Sequence, residues 1–187
     1  MERTRHPRLA EVAANLRPGR TLDLGCCEGG DACWLAEEGW RGRRGHFSNC
    51  PNAGRGRCPG PELISRIDFE CHNLSDSLPA GSFDLVSAQF LHSPVPLDGP
   101  QVLRKAARVV ASGGTLLIAD HGSAPRRAWK IDPEHHFPSA EAVVESLNLD
   151  AAQWEQLRAG PAERQATGPN GEVATVIDNV MVLRRIA

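Results

Sequence analysis

The stretch Thr21 to Gly30, TLDLGCCEGG, combines residue types that could hold a ligand. Apolar residues at Leu22 and Leu24 flank Asp23, and glycines follow at Gly25, Gly29 and Gly30. A strand that runs into closely spaced glycines and then into a helix exposes bare backbone, so a ligand can approach N–H groups without meeting side chains. In an open α/β sheet, ligands bind beyond the carboxyl ends of the strands, which is where such a turn would lie. The same turn can also serve simply as a tight connection, with Asp23 capping it.

The elements around this turn must be ones that can hold it in place. Leu9, Val12, Ala13 and Leu16 fall at helical spacing, and Pro18-Gly19 stops that helix. Thr21 to Leu24 reads as a short strand. Asp31 is expected to cap a helix through Trp34, Leu35 and Ala36 that ends at Gly39. The segment Arg41 to Pro61 then breaks the rhythm. It is rich in Gly, Arg and Pro, shows no alternation and predicts no regular strand. From Ile67 to Cys71 strand-like alternation returns. Phe83 to Phe90 is a second apolar run, and Leu103, Ala106, Ala107 and Val110 share a helix face. Thr115 to Ala119 predicts a buried strand.

Strands alternating with helices in this way imply βαβ units and a parallel sheet. After Asp120 a helix is expected over Ser139 to Leu147. Strands follow at Trp154 to Gln165 and Val173 to Arg184, parted by Gly168-Pro169-Asn170-Gly171 and so read as a closing antiparallel hairpin. The whole chain, 1–187, is expected to form one domain, with 17–122 as the ligand-binding half and 123–187 as the half carrying the closing strands.

Composition narrows the classes of function. With 187 residues and a net charge of -2, the chain is long enough for a buried core and has no general pull toward nucleic acid or anionic membranes. The charged N-terminus and the lack of a long apolar run predict a cytoplasmic protein with no membrane partner. Cys26, Cys27, Cys33, Cys50, Cys58 and Cys71 follow no zinc spacing and read as free thiols, with no metal expected. His121, His135 and His136 are expected to face solvent.

DLGCCEGG resembles the first motif of class I S-adenosylmethionine-dependent methyltransferases. FECHNLSDSLPAGSFDLVSAQFLHSP, LRKAARVVASGGTLLIADH and DNVMVLRR resemble later motifs of that family in the same order. The resemblance covers most of the chain apart from Arg41 to Pro61. It implies a Rossmann-like methyltransferase sandwich, a mostly parallel sheet closed by an antiparallel hairpin. It also implies S-adenosyl-L-methionine as cofactor and a small-molecule methyl acceptor, with no nucleic-acid partner.

By the same resemblance, Asp23, Gly25, Cys27 and Gly29 would shape the pocket for the cofactor's amino-acid end. Asn73 and Leu74 would lie against its adenine. Gln89 and Phe90 would sit where cofactor and acceptor meet, with His92 nearby as a candidate general base. Phe90 can equally be core, and His92 a satisfied loop histidine.

The chain departs from the family in three places. Cys27 stands at the middle glycine of the motif, and Asn73 replaces an acidic residue. Between Glu38 and Glu62 there is no carboxylate where ribose hydroxyls are usually held. These departures make a crippled relative with weak or no cofactor binding the alternative reading. A shifted reading frame accounts for the third departure, a divergent loop being the competing account. Read from the second base of each codon, Arg41 to Pro51 permits Val-Ala-Ala-Val-Asp-Ile-Ser-Pro-Thr-Ala-Leu, a strand, an acidic residue and a helix start. The coding sequence is therefore expected to give this string in the shifted frame and to return to frame before Glu62. Resequencing that finds unrelated codons and no compensating insertion or deletion would sink the idea.

Overall fold

A computed structural model describes residues 6–26, 29–46, 60–91, 97–123, 137–167, 171 and 173–187. Its centre is a seven-stranded sheet. The strands are β1 (Arg20–Leu24), β2 (Arg41–His46), β3 (Ile67–Cys71), β4 (Phe83–Gln89), β5 (Val110–His121), β6 (Trp154–Thr167) and β7 (Val173–Arg185). Their spatial order is β3-β2-β1-β4-β5-β7-β6. The first five run parallel, while β7 is antiparallel to both β5 and β6. The expected hairpin is present, and its second strand lies inside the sheet with the first at the edge.

The helices are α1 (Pro7–Ala13), α2 (Gly30–Glu37), α3 (Pro61–Ile64), α4 (Gly99–Arg108) and α5 (Ala140–Leu147). Local chemistry sets several of their ends. Asp98 accepts a hydrogen bond from Gln101 N at 2.9 Å at the start of α4, and Ser139 accepts one from Ala142 N at 3.1 Å at the start of α5. Asn148 ends α5 in the left-handed conformation.

Alternation along the strands divides the core into two faces. Leu22, Leu24, Val86, Ala88, Leu116 and Ile118 pack with α4 and α5, whereas Leu85, Leu117, Val180 and Val182 pack with α1, α2 and Trp40. Asp23, Ser87 and Gln89 are each in step with Leu85 or its register partners. They therefore belong to the face that α1 and α2 cover.

The structure corrects three expectations. Arg41–His46 is a strand after all, paired with β1 on one side and β3 on the other. Parallel ladders satisfy backbone groups whatever the side chains are, so flanking strands can impose extension on a sequence that would not choose it. Asp31 does not cap α2, because Gly29 takes the N-cap position at φ 82° and Asp31 lies in the first turn. Cys26 and Cys71 are free thiols, but Cys33 is in a disulfide. Sequence spacing carried no sign of that pairing.

The β6–β7 hairpin outruns its neighbour. β5 ends at His121, opposite Asp178, whereas five further pairs from Glu163–Ile177 to Thr167–Val173 continue the ribbon beyond that point.

β2 sits between two strands yet reads Arg-Gly-Arg-Arg-Gly-His, in a position where apolar β-branched residues are usual. Replacing residues 41–51 with the frame-shifted string should stabilise the chain by about 2 kcal/mol, raising Tm by about 4–8 °C. Thermal unfolding of the two proteins measures this, and an unchanged or lower Tm would refute it.

Candidate functional site

The glycine turn after β1 lies at the carboxyl edge of the parallel strands. Gly25 has φ 72° and Gly29 φ 82°, a region that costs an L side chain about 1–2 kcal/mol. A Cβ on Gly25 would come within 2.8 Å of Leu91 Cδ1. The turn is closed by Gly29 N donating to Cys26 O at 2.7 Å, and Gly29 O accepts from Cys33 N to begin α2. Glycine is therefore required at both positions for conformational reasons. Cys27 lies outside the described residues, as does His92.

Beneath the turn, Asp23 is buried at 3% exposure and stands opposite Ser87 in the β1–β4 register. Ser87 is wholly buried, and among the described residues its Oγ has no hydrogen-bond partner. A buried hydroxyl left in that state is unusual and points to a missing polar neighbour. Sequence reading missed Ser87; its period-two relation to Gln89 was the signal that could have found it.

Gln89 ends β4 half-buried, with Nε2 donating to Asp31 Oδ2 at 3.1 Å. The other Asp31 oxygen accepts from His6 N at 2.6 Å. Asp31 thus ties the start of α1 and the end of β4 to the first turn of α2, where the helix dipole also favours a carboxylate.

Phe90 has φ 47°, an outlier for an aromatic residue and a form of strain that tends to persist where surrounding structure enforces it. Its backbone N donates to Ala119 O at 2.8 Å. The ring lies 4.8 Å from His6 and 4.6 Å from His121, and His121 in turn meets Phe137 edge-on at 5.9 Å. The Arg164 guanidinium lies 5.6 Å from the Phe90 ring centre.

Arg164 makes two hydrogen bonds to the fully buried Asp178, at 2.9 and 3.1 Å, and Arg8 Nε approaches the same carboxylate at 3.5 Å. None of His6, Arg8, Arg164 and Asp178 was singled out by sequence reading. His121, which was expected to face solvent, is instead half-buried in the row of rings.

Asn73 and Leu74 do not join this group. Asn73 is exposed and committed to its own turn: Oδ1 accepts from Ser75 N, and Nδ2 donates to Asp76 Oδ2. Leu74 has no exposed surface and packs within the core on the α4–α5 face. Among the described residues, no cluster of three or more His, Cys, Asp or Glu could hold a metal ion. No helix among them is long and apolar enough to cross a membrane.

The arrangement is that of a doubly wound α/β protein, a class whose ligands bind at the carboxyl edge of the parallel strands, here the edge where β1 and β4 end. Residues 22–118 match the methyltransferase domain family. The chain belongs to that family, the class I S-adenosylmethionine-dependent methyltransferases.

Methyltransferase GfsG of Streptomyces halstedii is 36% identical over 109 residues, which cover 54% of this chain and 37% of that protein. The chain thus spans well under half of that relative's length. A Burkholderia thailandensis 1,6-didemethyltoxoflavin-N1-methyltransferase, solved with S-adenosylhomocysteine, superposes with TM-score 0.66 at 20% identity, over 97% of this chain and 78% of that one. A SAM-dependent methyltransferase from Methanosarcina mazei gives TM-score 0.63 at 18% identity, over 94% and 97% respectively.

Burial lowers the pKa of His6 to about 4, with the Arg164 and Arg8 charges adding to the effect and Asp178 and Gln89 opposing it. An unfolded histidine takes up its proton near pH 6.5, so between pH 6.5 and 4 the unfolded chain binds the proton that folded His6 refuses. Stability should therefore fall as pH drops through this window and level off below it. Urea midpoints over pH 4–7 should show a shallower fall for His6→Gln than for the parent, and parallel curves would contradict the assignment.

Proposed function

We propose that the chain transfers a methyl group from S-adenosyl-L-methionine to a small-molecule acceptor. The observation that carries this reading is the glycine turn after β1, with Gly25 and Gly29 at positive φ next to the buried pair Asp23 and Ser87. Asp23, Gly25 and Gly29 would hold the amino-acid end of the cofactor. Ser87 supplies a hydroxyl that has no hydrogen-bond partner among the described residues.

When bound, the cofactor supplies a sulfonium-activated methyl group. The chain's own task is then to align an acceptor, exclude water and keep charges balanced, which can account for much of the rate. Phe90, His121 and Phe137 give the acceptor side an aromatic wall.

A second reading, a relative that binds cofactor weakly or not at all, draws support from Asn73, whose amide is already used within its own turn. Calorimetric titration of folded protein with S-adenosylhomocysteine separates the two readings. Micromolar affinity is expected, with at least a tenfold loss in Gly25→Ala. Absence of binding by well-folded parent protein would favour the second reading.

A further inference from the structure

Three arginines stand in a row across the amino edge of the sheet, the end opposite the glycine turn. Arg20 opens β1 and is the register partner of Arg41, which opens β2. On the next ladder Gly42 pairs with Ile67, so Arg41 stands opposite Arg66, the residue just before β3. Neighbouring strands lie about 4.8 Å apart. Like charges set directly opposite one another on strands are destabilising, so the row is a cost that nothing in the fold requires. All three side chains line one cavity of about 680 Å³, together with Asp68 and the start of β4 at Phe83.

Among the described residues, none of the three guanidiniums is in an ion pair with a carboxylate. Two of them are nonetheless held in place. The Arg20 guanidinium lies 5.4 Å from the centre of the Phe83 ring, and its Nη2 is 2.8 Å from where a Cβ on Gly81 would stand. Arg66 Nη1 donates to Ala36 O at 3.4 Å. A ring face and a carbonyl position a guanidinium while leaving it a full positive charge. Asp84, beside Phe83, does not neutralise Arg20, because its carboxylate accepts from the backbone N of that residue at 2.7 Å. The lining therefore sets three positive charges against the one negative charge of Asp68.

We propose that this cavity binds a compact anion of the pyrophosphate type, either free or as the diphosphate of a nucleotide. Two linked phosphate groups reach more than one position of the row, and the planar fork of each guanidinium matches phosphate oxygens bidentately. The volume falls in the range of small-molecule sites. Arg20 and Arg66, the two fixed guanidiniums, lie outside residues 41–61, so they remain under either account of that segment. The ligand is a second one, at the far end of β1 and β4 from the glycine turn. S-adenosyl-L-methionine carries no phosphate, and the proposal does not rest on the methyltransferase reading.

The test is calorimetric titration of the whole chain with inorganic pyrophosphate at low ionic strength. Micromolar binding is expected, with sulfate, which spans fewer guanidiniums, about tenfold weaker. Arg20→Gln and Arg66→Gln should each weaken pyrophosphate about tenfold, the worth of one charge-assisted hydrogen bond. Should loss of the Phe83 contact unfold Arg20→Gln, Arg41→Gln tests the same row at an exposed side chain.

Arg108→Gln removes an equal charge from the last turn of α4, at a different cavity, and should leave the affinity unchanged. No binding by folded parent protein, or equal weakening in Arg108→Gln, would overturn the proposal. Titration with ADP separates the two sources: tighter binding than pyrophosphate assigns the site to a nucleotide, and weaker binding to the free anion.

Discussion

The buried carboxylate of Asp178 is where the separate parts of the site are tied together. It lies in β7, pairs by register with His121 of β5, and is held by Arg164 from β6 and Arg8 from α1. A carboxylate with no exposed surface is tolerated only with such partners, and losing one typically costs 3–5 kcal/mol. The ion pair therefore fixes where α1 begins relative to the hairpin. With α1 fixed, His6 is brought to Phe90, and Phe90 lies between the rings of His6 and His121. Burial is what chiefly lowers the pKa of His6; the two guanidiniums add to it, while the Asp178 carboxylate works against it.

One periodicity builds the core and the site together. On β4, Val86 and Ala88 serve one face, while Leu85, Ser87 and Gln89 serve the other. The second face passes from apolar to polar as the strand approaches its carboxyl end. β1 repeats the pattern with Asp23. Helices α1 and α2 cover the apolar part of that face, and their first residues reach the polar part: His6 from one and Asp31 from the other. Asp31 accepts from both His6 N and Gln89 Nε2, so the two helix starts and the end of β4 form a single hydrogen-bonded unit.

Much of this was legible in the sequence where the signal was local. Gly25 and Gly29 announced a turn that needs positive φ, and the apolar runs at Thr115 and Phe83 announced buried strands. Gly168 to Gly171 separated two strands that do pair antiparallel. β2 was not legible, because its residues oppose the conformation that its two neighbours impose. Nor were the links from Arg8 to Asp178 or from His6 to Asp31, which join positions far apart in the chain and leave no spacing to read. Asn73 and Leu74 show the converse. The family pattern set them beside a ligand, and the structure places one in an Asx turn and the other in the core.

The ribbon that continues beyond Asp178 has a bearing on how relatives of this chain could diverge. Five residue pairs, about 17 Å at 3.4 Å per residue, extend past the end of β5. Ile177 O accepts from Gly122 N and Ser123 N and Val176 is buried, so the fold holds the root of this tongue; beyond Val176 its described residues pair only within the hairpin. Adding or deleting residue pairs beyond Val176 would change how far the ribbon projects while the Arg164–Asp178 clasp stays in place. Because side chains alternate, changes of two pairs at a time would keep the same face turned inward. The projection of the hairpin therefore drifts in steps of two pairs, leaving the glycine turn untouched.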